Sequence, residues 1–274
     1  MSERPDIEVR NLRFKFDESI PRHWNGGSES GTAFFDSQSL LFPAGERFFV
    51  RSVVALLPKI RDPELLRKAR AFCGQEGMHT REHVHYNRRL QALGYPAARL
   101  ERWVANFLRL VWWTTLPRWR LAITCAIEHF TAIGAARALG SQGLDAAEPR
   151  MRAFSRWHAA EELEHKSIPF DIYQAVGGNY VERIAIMFMT TLTFRAFLFF
   201  HLACFLWVDG VLFTRRAFSE LGRTLRALDS AGTFWRDYAL YYKPGFHPSQ
   251  LSDRQKLEHF HNELLSSPHY AAAR

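Results

Sequence analysis

The chain has 274 residues, 47% of them hydrophobic and 14% aromatic, which excludes a disordered or fibrous protein and suffices for one large core or two small ones. Its net charge of +8 comes mainly from arginines scattered without runs, and no nucleic-acid motif accompanies them, so no nucleic-acid partner is expected. Widely spaced Cys73, Cys125 and Cys204, each in an apolar run, exclude a disulfide framework and a Cys-x-x-Cys clip; with a charged N-terminus lacking an apolar signal core, they predict a cytoplasmic protein.

Residues 1–33 mix Pro, Gly and Ser around a short alternating stretch, Ile7 to Phe14. It reads as a strand or an extended arm that packs across the molecule and does no chemistry. Gly26 to Gly31 reads as a loop. From Phe34 the pattern turns helical, with Asp36 or Ser37 as N-cap, Pro43 kinking or restarting the helix, and Pro58 ending it after Leu57. Asp62-Pro63-Glu64 opens a second helix that stops near Gly94-Tyr95-Pro96. A third begins after Pro96, breaks at Pro117 and resumes to Gly140; a fourth spans residues 146–175, closed by Gly177-Gly178. Ile184 to Phe213 is apolar over a length near the roughly 20 residues of a membrane span. Arg195, His201 and Asp209 within it favour a fifth helix buried against the others, with membrane contact and a homodimer interface as its other uses. From Arg215 on, mixed helix and loop carry no motif.

The chemistry concentrates in Trp157-His158-Ala159-Ala160-Glu161-Glu162-Leu163-Glu164-His165, which as a helix stacks His158, Glu162 and His165 on one face. Glu76-Gly77-Met78-His79 repeats the Glu-x-x-His spacing. Glu46 and Glu128 each sit in apolar surroundings, where a buried carboxylate is costly unless a cation offsets it, an arginine or a metal. Glu46 precedes Glu76 by 30 residues and Glu128 precedes Glu162 by 34, intervals that suit antiparallel helix pairs, whereas the 52 residues from Glu76 to Glu128 suit a crossover. The order Glu, Glu-x-x-His, crossover, Glu, Glu-x-x-His is that of ferritin-like di-iron and di-manganese bundles. The predicted fold is therefore all-α: a short N-terminal extended arm (1–33), a ferritin-like four-helix bundle (34–178) and additional C-terminal helices packed on it (179–274). The predicted metal ligands are Glu46, Glu76, His79, Glu128, His158, Glu162 and His165. Four glutamates balance two divalent ions, and this donor set favours two iron ions, with manganese or a mixed pair as alternatives. His83 shares the face of Glu76 and His79 and reads as a ligand or as a support behind one. Glu161 and Glu164 point elsewhere, to solvent or behind the ligands. His85 and His129 have no supporting spacing.

On the stretch Leu41 to Phe49, Glu76-x-x-His79, Glu128-His129, Trp157-His158-x-x-x-Glu162-x-x-His165 and Pro21-Arg22-His23-Trp24, the chain resembles the bacterial family of predicted metal-dependent hydrolases over roughly residues 7–215. Its ligand spacing alone is also similar to that of the p-aminobenzoate N-oxygenases, ferritin-like di-iron enzymes in which a His four residues before the last Glu-x-x-His adds a ligand, here His158. That likeness implies oxygen activation.

The leading expectation is accordingly an O2-activating oxygenase or oxidase, drawing on an electron donor and acting on a small hydrophobic or acyl substrate. The alternative is a hydrolase whose metal-bridging hydroxide attacks an ester or phosphate. A further alternative is a non-catalytic di-metal or storage protein.

Overall fold

The computed structural model describes residues 7–273. Among them the fold is all helical, and the sole β-type pairing is an isolated antiparallel bridge between Asn25 and Ala147. Ile7 to Phe14 takes the extended-arm form of its two readings. Its alternation is real: Arg10, Leu12 and Phe14 turn inward while Val9, Asn11 and Arg13 face out. The arm is tied down by side chains of the second long helix described below. Phe14 N–H donates to Glu82 at 2.9 Å, and Gln75 Nε2 donates to the Glu8 carbonyl at 2.8 Å. Gly74 permits the close approach, since a Cβ there would lie 2.8 Å from Val9 Cγ2.

Helix α1 (Glu29–Ser39) starts earlier than the expected Phe34 because Ser28 Oγ caps it, accepting from Gly31 N–H at 3.0 Å. Asp36 and Ser37 are therefore interior helical residues and not caps. A break at Leu40-Leu41 separates α1 from α2 (Phe42–Val54), which Pro43 restarts in its first turn. Pro58 lies in a short 3₁₀ turn, Leu57–Lys59, beyond the helix end. Asp62 caps α3 (Pro63–Ala92), and Gly94 with φ +92° turns the chain after it. Next come α4 (Ala97–Thr114) and α5 (Pro117–Gly140). The expected fourth helix is in fact two, α6 (Pro149–His165) and α7 (Ile168–Ala175). Pro169 explains the break: it has no N–H with which to continue the helix from His165.

The apolar segment forms α8 (Tyr180–Val208), followed by α9 (Arg215–Leu228), α10 (Phe234–Leu240), α11 (Arg254–Ser266) and α12 (Pro268–Ala271). Within the bundle α2 packs on α3 and α5 on α6, and α2–α5 and α3–α6 contacts complete the ring. Aromatic and aliphatic side chains fill it in two clusters, one around Trp157, Phe154 and Phe205, the other around Phe72, Phe48 and Phe170. The expectation that α8 is a buried fifth helix is corrected. It packs on α1 and α5 by one face, but only 28% of its most apolar window is buried.

Candidate metal centre

The ring of α2, α3, α5 and α6 brings every predicted ligand to one place. Glu46 comes from α2, Glu76 and His79 from α3, Glu128 from α5, and His158, Glu162 and His165 from α6. None is more than 7% exposed. Their donor atoms form overlapping groups in which all members lie within 4.8 Å of one another: Glu76, Glu128 and His165; Glu46, Glu76 and His79; His79, His158 and Glu162; Glu46, His83 and His158. His165 Nε2 is 3.0 Å from Glu76 Oε1, 3.4 Å from Glu128 and 3.7 Å from Glu162. At the other end His158 Nε2 is 3.0 Å from Glu162 Oε1, and His79 Nδ1 is 3.6 Å from the same oxygen. Glu76 and Glu162 thus lie between Glu128 and His165 on one side and Glu46, His79 and His158 on the other.

Apart from the hydrogen bond between His158 Nε2 and Glu162 Oε1 and that from Thr80 Oγ1 to Glu46 Oε2, these atoms do not satisfy one another. Glu46 Oε1, both Glu76 oxygens, both Glu128 oxygens, Glu162 Oε2, His79 Nδ1 and His165 Nε2 are buried and make no hydrogen bond. Each such orphan costs about 1–3 kcal/mol, and more when charged. The electrostatics carry the same tension. Burial, then the Glu76 charge, holds Glu46 well above the usual carboxylate range, and burial raises Glu76 as well. Glu128 is pushed up to about 8, chiefly by burial. Burial also opposes ionisation of Glu162, but His158 and His165 outweigh it and hold that carboxyl low. Burial would lower His165, yet Glu128, Glu76 and Glu162 keep it well above the ordinary histidine value. His79 is driven well below that value by burial and by the neighbouring imidazoles.

Behind the cluster, hydrogen bonds fix which ring nitrogen faces inward. Gln75 Nε2 donates to Glu8 O and to Glu164, so its Oε1 accepts from His165 Nδ1–H at 2.9 Å and leaves Nε2 toward the carboxylates. His79 Nε2 meets Glu161 at 3.0 Å, leaving Nδ1 inward. Asn87 Nδ2 donates to Ser39 O and Glu101, so Asn87 Oδ1 accepts from Ser39 Oγ at 2.6 Å. Ser39 Oγ then accepts from His83 Nδ1–H at 2.8 Å, and His83 Nε2 accepts from His158 Nδ1–H at 2.6 Å. In their neutral forms His79, His158 and His165 each turn a bare nitrogen toward the glutamates. Both nitrogens of His83 are taken, which places it behind His158 as a support.

Glu161 and Glu164 are not solvent-facing; both are buried, and the arm explains it. Arg10 Nη1 donates to Glu161 at 3.1 Å and to Glu164 at 2.8 Å, and Nη2 donates to Glu164 at 2.8 Å. Trp157 Nε1 donates to Glu161 at 2.9 Å. Glu161 is pushed up to about 8 by burial, partly countered by Arg10; Glu164 is held low against burial by His261, Arg10 and Gln75. The arm packs across the molecule as expected and in addition braces the cluster from behind through Arg10. Sequence reasoning missed Arg10 and Gln75, although Arg10 shares the inward register of Leu12 and Phe14. His85 is exposed, and His129 lies outside the cluster with Nε2 donating to the Asp237 carbonyl at 3.1 Å.

A family model described as predicted metal-dependent hydrolase matches residues 8–252, a span that contains Arg10 and the whole cluster. No curated protein and no solved structure gives a significant match.

Proposed function

The chain belongs to the family of predicted metal-dependent hydrolases, and from that premise we propose that its buried carboxylate–imidazole cluster is the two-metal centre of an enzyme. The observation that carries this reading is the set of orphaned donor atoms converging from four helices in the interior. Two divalent cations fit them: four carboxylates offset four positive charges, and the three bare imidazole nitrogens complete the shells. Glu46, Glu76, His79, Glu128, His158, Glu162 and His165 would hold the two ions. The donor set suits iron or manganese. Residues 34–178, with the ligand order Glu, Glu-x-x-His, Glu, Glu-x-x-His and α4 as the crossover, would then be a ferritin-like bundle on which residues 179–274 pack.

For a hydrolase, the bound ions supply Lewis acidity and acidify a water at neutral pH. The residues of the chain do the rest. Burial raises Glu46, Glu76 and Glu128, so proton release from the cluster would accompany cation binding. Gln75, Glu161 and His83 keep the three ligand imidazoles in one tautomer. Phe42, which packs against His83 and His158, and Phe72, which packs edge-on to His165, limit water at the cluster.

A second reading, O2 activation on a hydrophobic or acyl substrate with an external electron donor, is favoured by the donor set itself. All its ligands are Glu or His on helices, and the third imidazole, His158, loads one end, as in the N-oxygenase pattern. One experiment separates the readings. Purified protein should carry about two transition-metal ions per chain, and it is assayed with ester and phosphate probes in the absence of oxygen. Anaerobic turnover that chelation abolishes supports hydrolysis. Oxygen uptake by the ferrous protein without anaerobic turnover supports the second reading. A protein that binds no metal removes both.

A further inference from the structure

We propose that α4 and α8 together form a docking face for an anionic lipid bilayer, on which the protein lies without spanning it. Side chains of the two helices meet in antiparallel order. Trp103 stacks on Phe200 at 5.4 Å and Phe107 meets Phe197 at 5.3 Å, while Arg118 at the start of α5 pairs with Glu182 at the start of α8. The outer side of this pair is apolar. Phe188, Leu192, Phe199 and Trp207 on α8 and Leu110 and Trp113 on α4 are all more than half exposed. No charged side chain of α8 is exposed; Arg183 and His201 are buried, Arg195 stacks over Trp235, and Glu182 is paired. A helix of 29 residues, about 43 Å long, with an uncharged exposed stripe is unusual on a water-facing surface.

The charge around the face selects its occupant. Arg99, Arg102 and Arg109 are exposed on α4. The nearby carboxylates are engaged: Glu101 accepts from Asn87, Glu182 from Arg118, and Asp209 from Arg22 and Tyr95. Arginines beside aromatic and aliphatic side chains match acidic lipid headgroups over acyl chains. A second copy would bring the same arginine-bearing face against itself, with no free acidic partner on either side. Spanning is ruled out by packing, because the other face of α8 buries Met187, Leu202 and Phe205 inside the protein.

The test uses the full metal-loaded chain with vesicles of phosphatidylcholine, alone or mixed with phosphatidylglycerol. The expected result is co-sedimentation with the mixed vesicles at low salt, with tryptophan emission quenched by brominated lipid. Trp113→Ser combined with Phe199→Ser should weaken partitioning by about tenfold or more at unchanged helix content, since both side chains project outward. Arg102→Gln with Arg109→Gln should reduce binding to the mixed vesicles and leave the neutral ones unaffected. Protein that stays in the supernatant with both vesicle types overturns the proposal. So does sedimentation velocity showing a dimer that the Trp113/Phe199 variant dissociates, since a second copy would then cover the face.

Discussion

Replacing Arg10 by Met tests whether the arm supports the cluster. Arg10 is 8% exposed and makes three charge-assisted hydrogen bonds to Glu161 and Glu164, themselves buried. Met keeps much of the aliphatic volume and removes the charge. Breaking a buried pair by deleting one partner costs about 3–5 kcal/mol, because the surviving charge is left in the interior. At about 2–4 °C per kcal/mol for a chain of this size, the metal-free protein should melt roughly 6–20 °C lower, as read by thermal circular dichroism. A second effect is local. Glu161 loses its hydrogen bond from Arg10 and orients His79 less well, so one metal should bind about 10–100-fold more weakly in a chelator competition. Adding Glu164→Gln to Arg10→Met should recover part of the loss, because one buried charge disappears with its partner. A single variant that melts within about 2 °C of the parent, with metal affinity intact, would refute the supporting role of the arm.

The remaining predictions address pH, tautomer and packing. Glu128 and Glu161 keep a proton up to about 8 in the folded protein but only to ordinary carboxylate pH when unfolded, so between those limits the folded state binds more protons. The raised His165 acts in the same direction, and the depressed His79 and His83 oppose it only below the ordinary histidine pKa. Metal-free protein should therefore lose stability from pH 6.5 to 8, by up to about 1.4 kcal/mol per unit for each such group. Metal affinity should rise over the same range, and a melting temperature that climbs with pH would contradict this. His83→Phe removes the acceptor for His158 Nδ1–H and should weaken one of two metals about 10–100-fold while sparing the other; equal loss at both in a two-site titration counts against the tautomer assignment. Gly178→Ala places a Cβ about 2.3 Å from the Tyr173 ring, and overpacking there should cost about 1–3 kcal/mol in urea unfolding; a neutral result would mean the ring is free to move.

The convergence of the candidate ligands was legible because helical spacing is local. Glu76 with His79 and Glu162 with His165 share a face on any helix, and turn residues such as Asp62-Pro63 and Gly94 mark the ends of the element that carries the first pair. The supports were harder to read because their partners are distant. Glu161 and Glu164 owe their burial to Arg10, 151 and 154 residues away. Helix α6 is buried from Trp157 to His165 without a polar side, so no amphipathic period distinguishes ligands from their neighbours. The break after His165 did have a sign, Pro169, which the fourth-helix reading passed over. The exposure of α8 had none, since an apolar run reads alike whether its face meets protein or something else. The hydrogen bonds of Trp24 and Tyr86 to buried Asp36 were equally hidden, because they join three distant stretches.

The clasp between arm and α6 also sets an order of assembly. During translation Arg10 leaves the ribosome early, while the carboxylates that need it are made much later. Glu161 and Glu164 lack that partner until the first-made segment returns to them. Closing so long a loop adds only about 0.6 kcal/mol per doubling of its length, but the step must wait until α6 has been made. The brace behind His79, from Arg10 through Glu161, is therefore completed only by return of the leading segment.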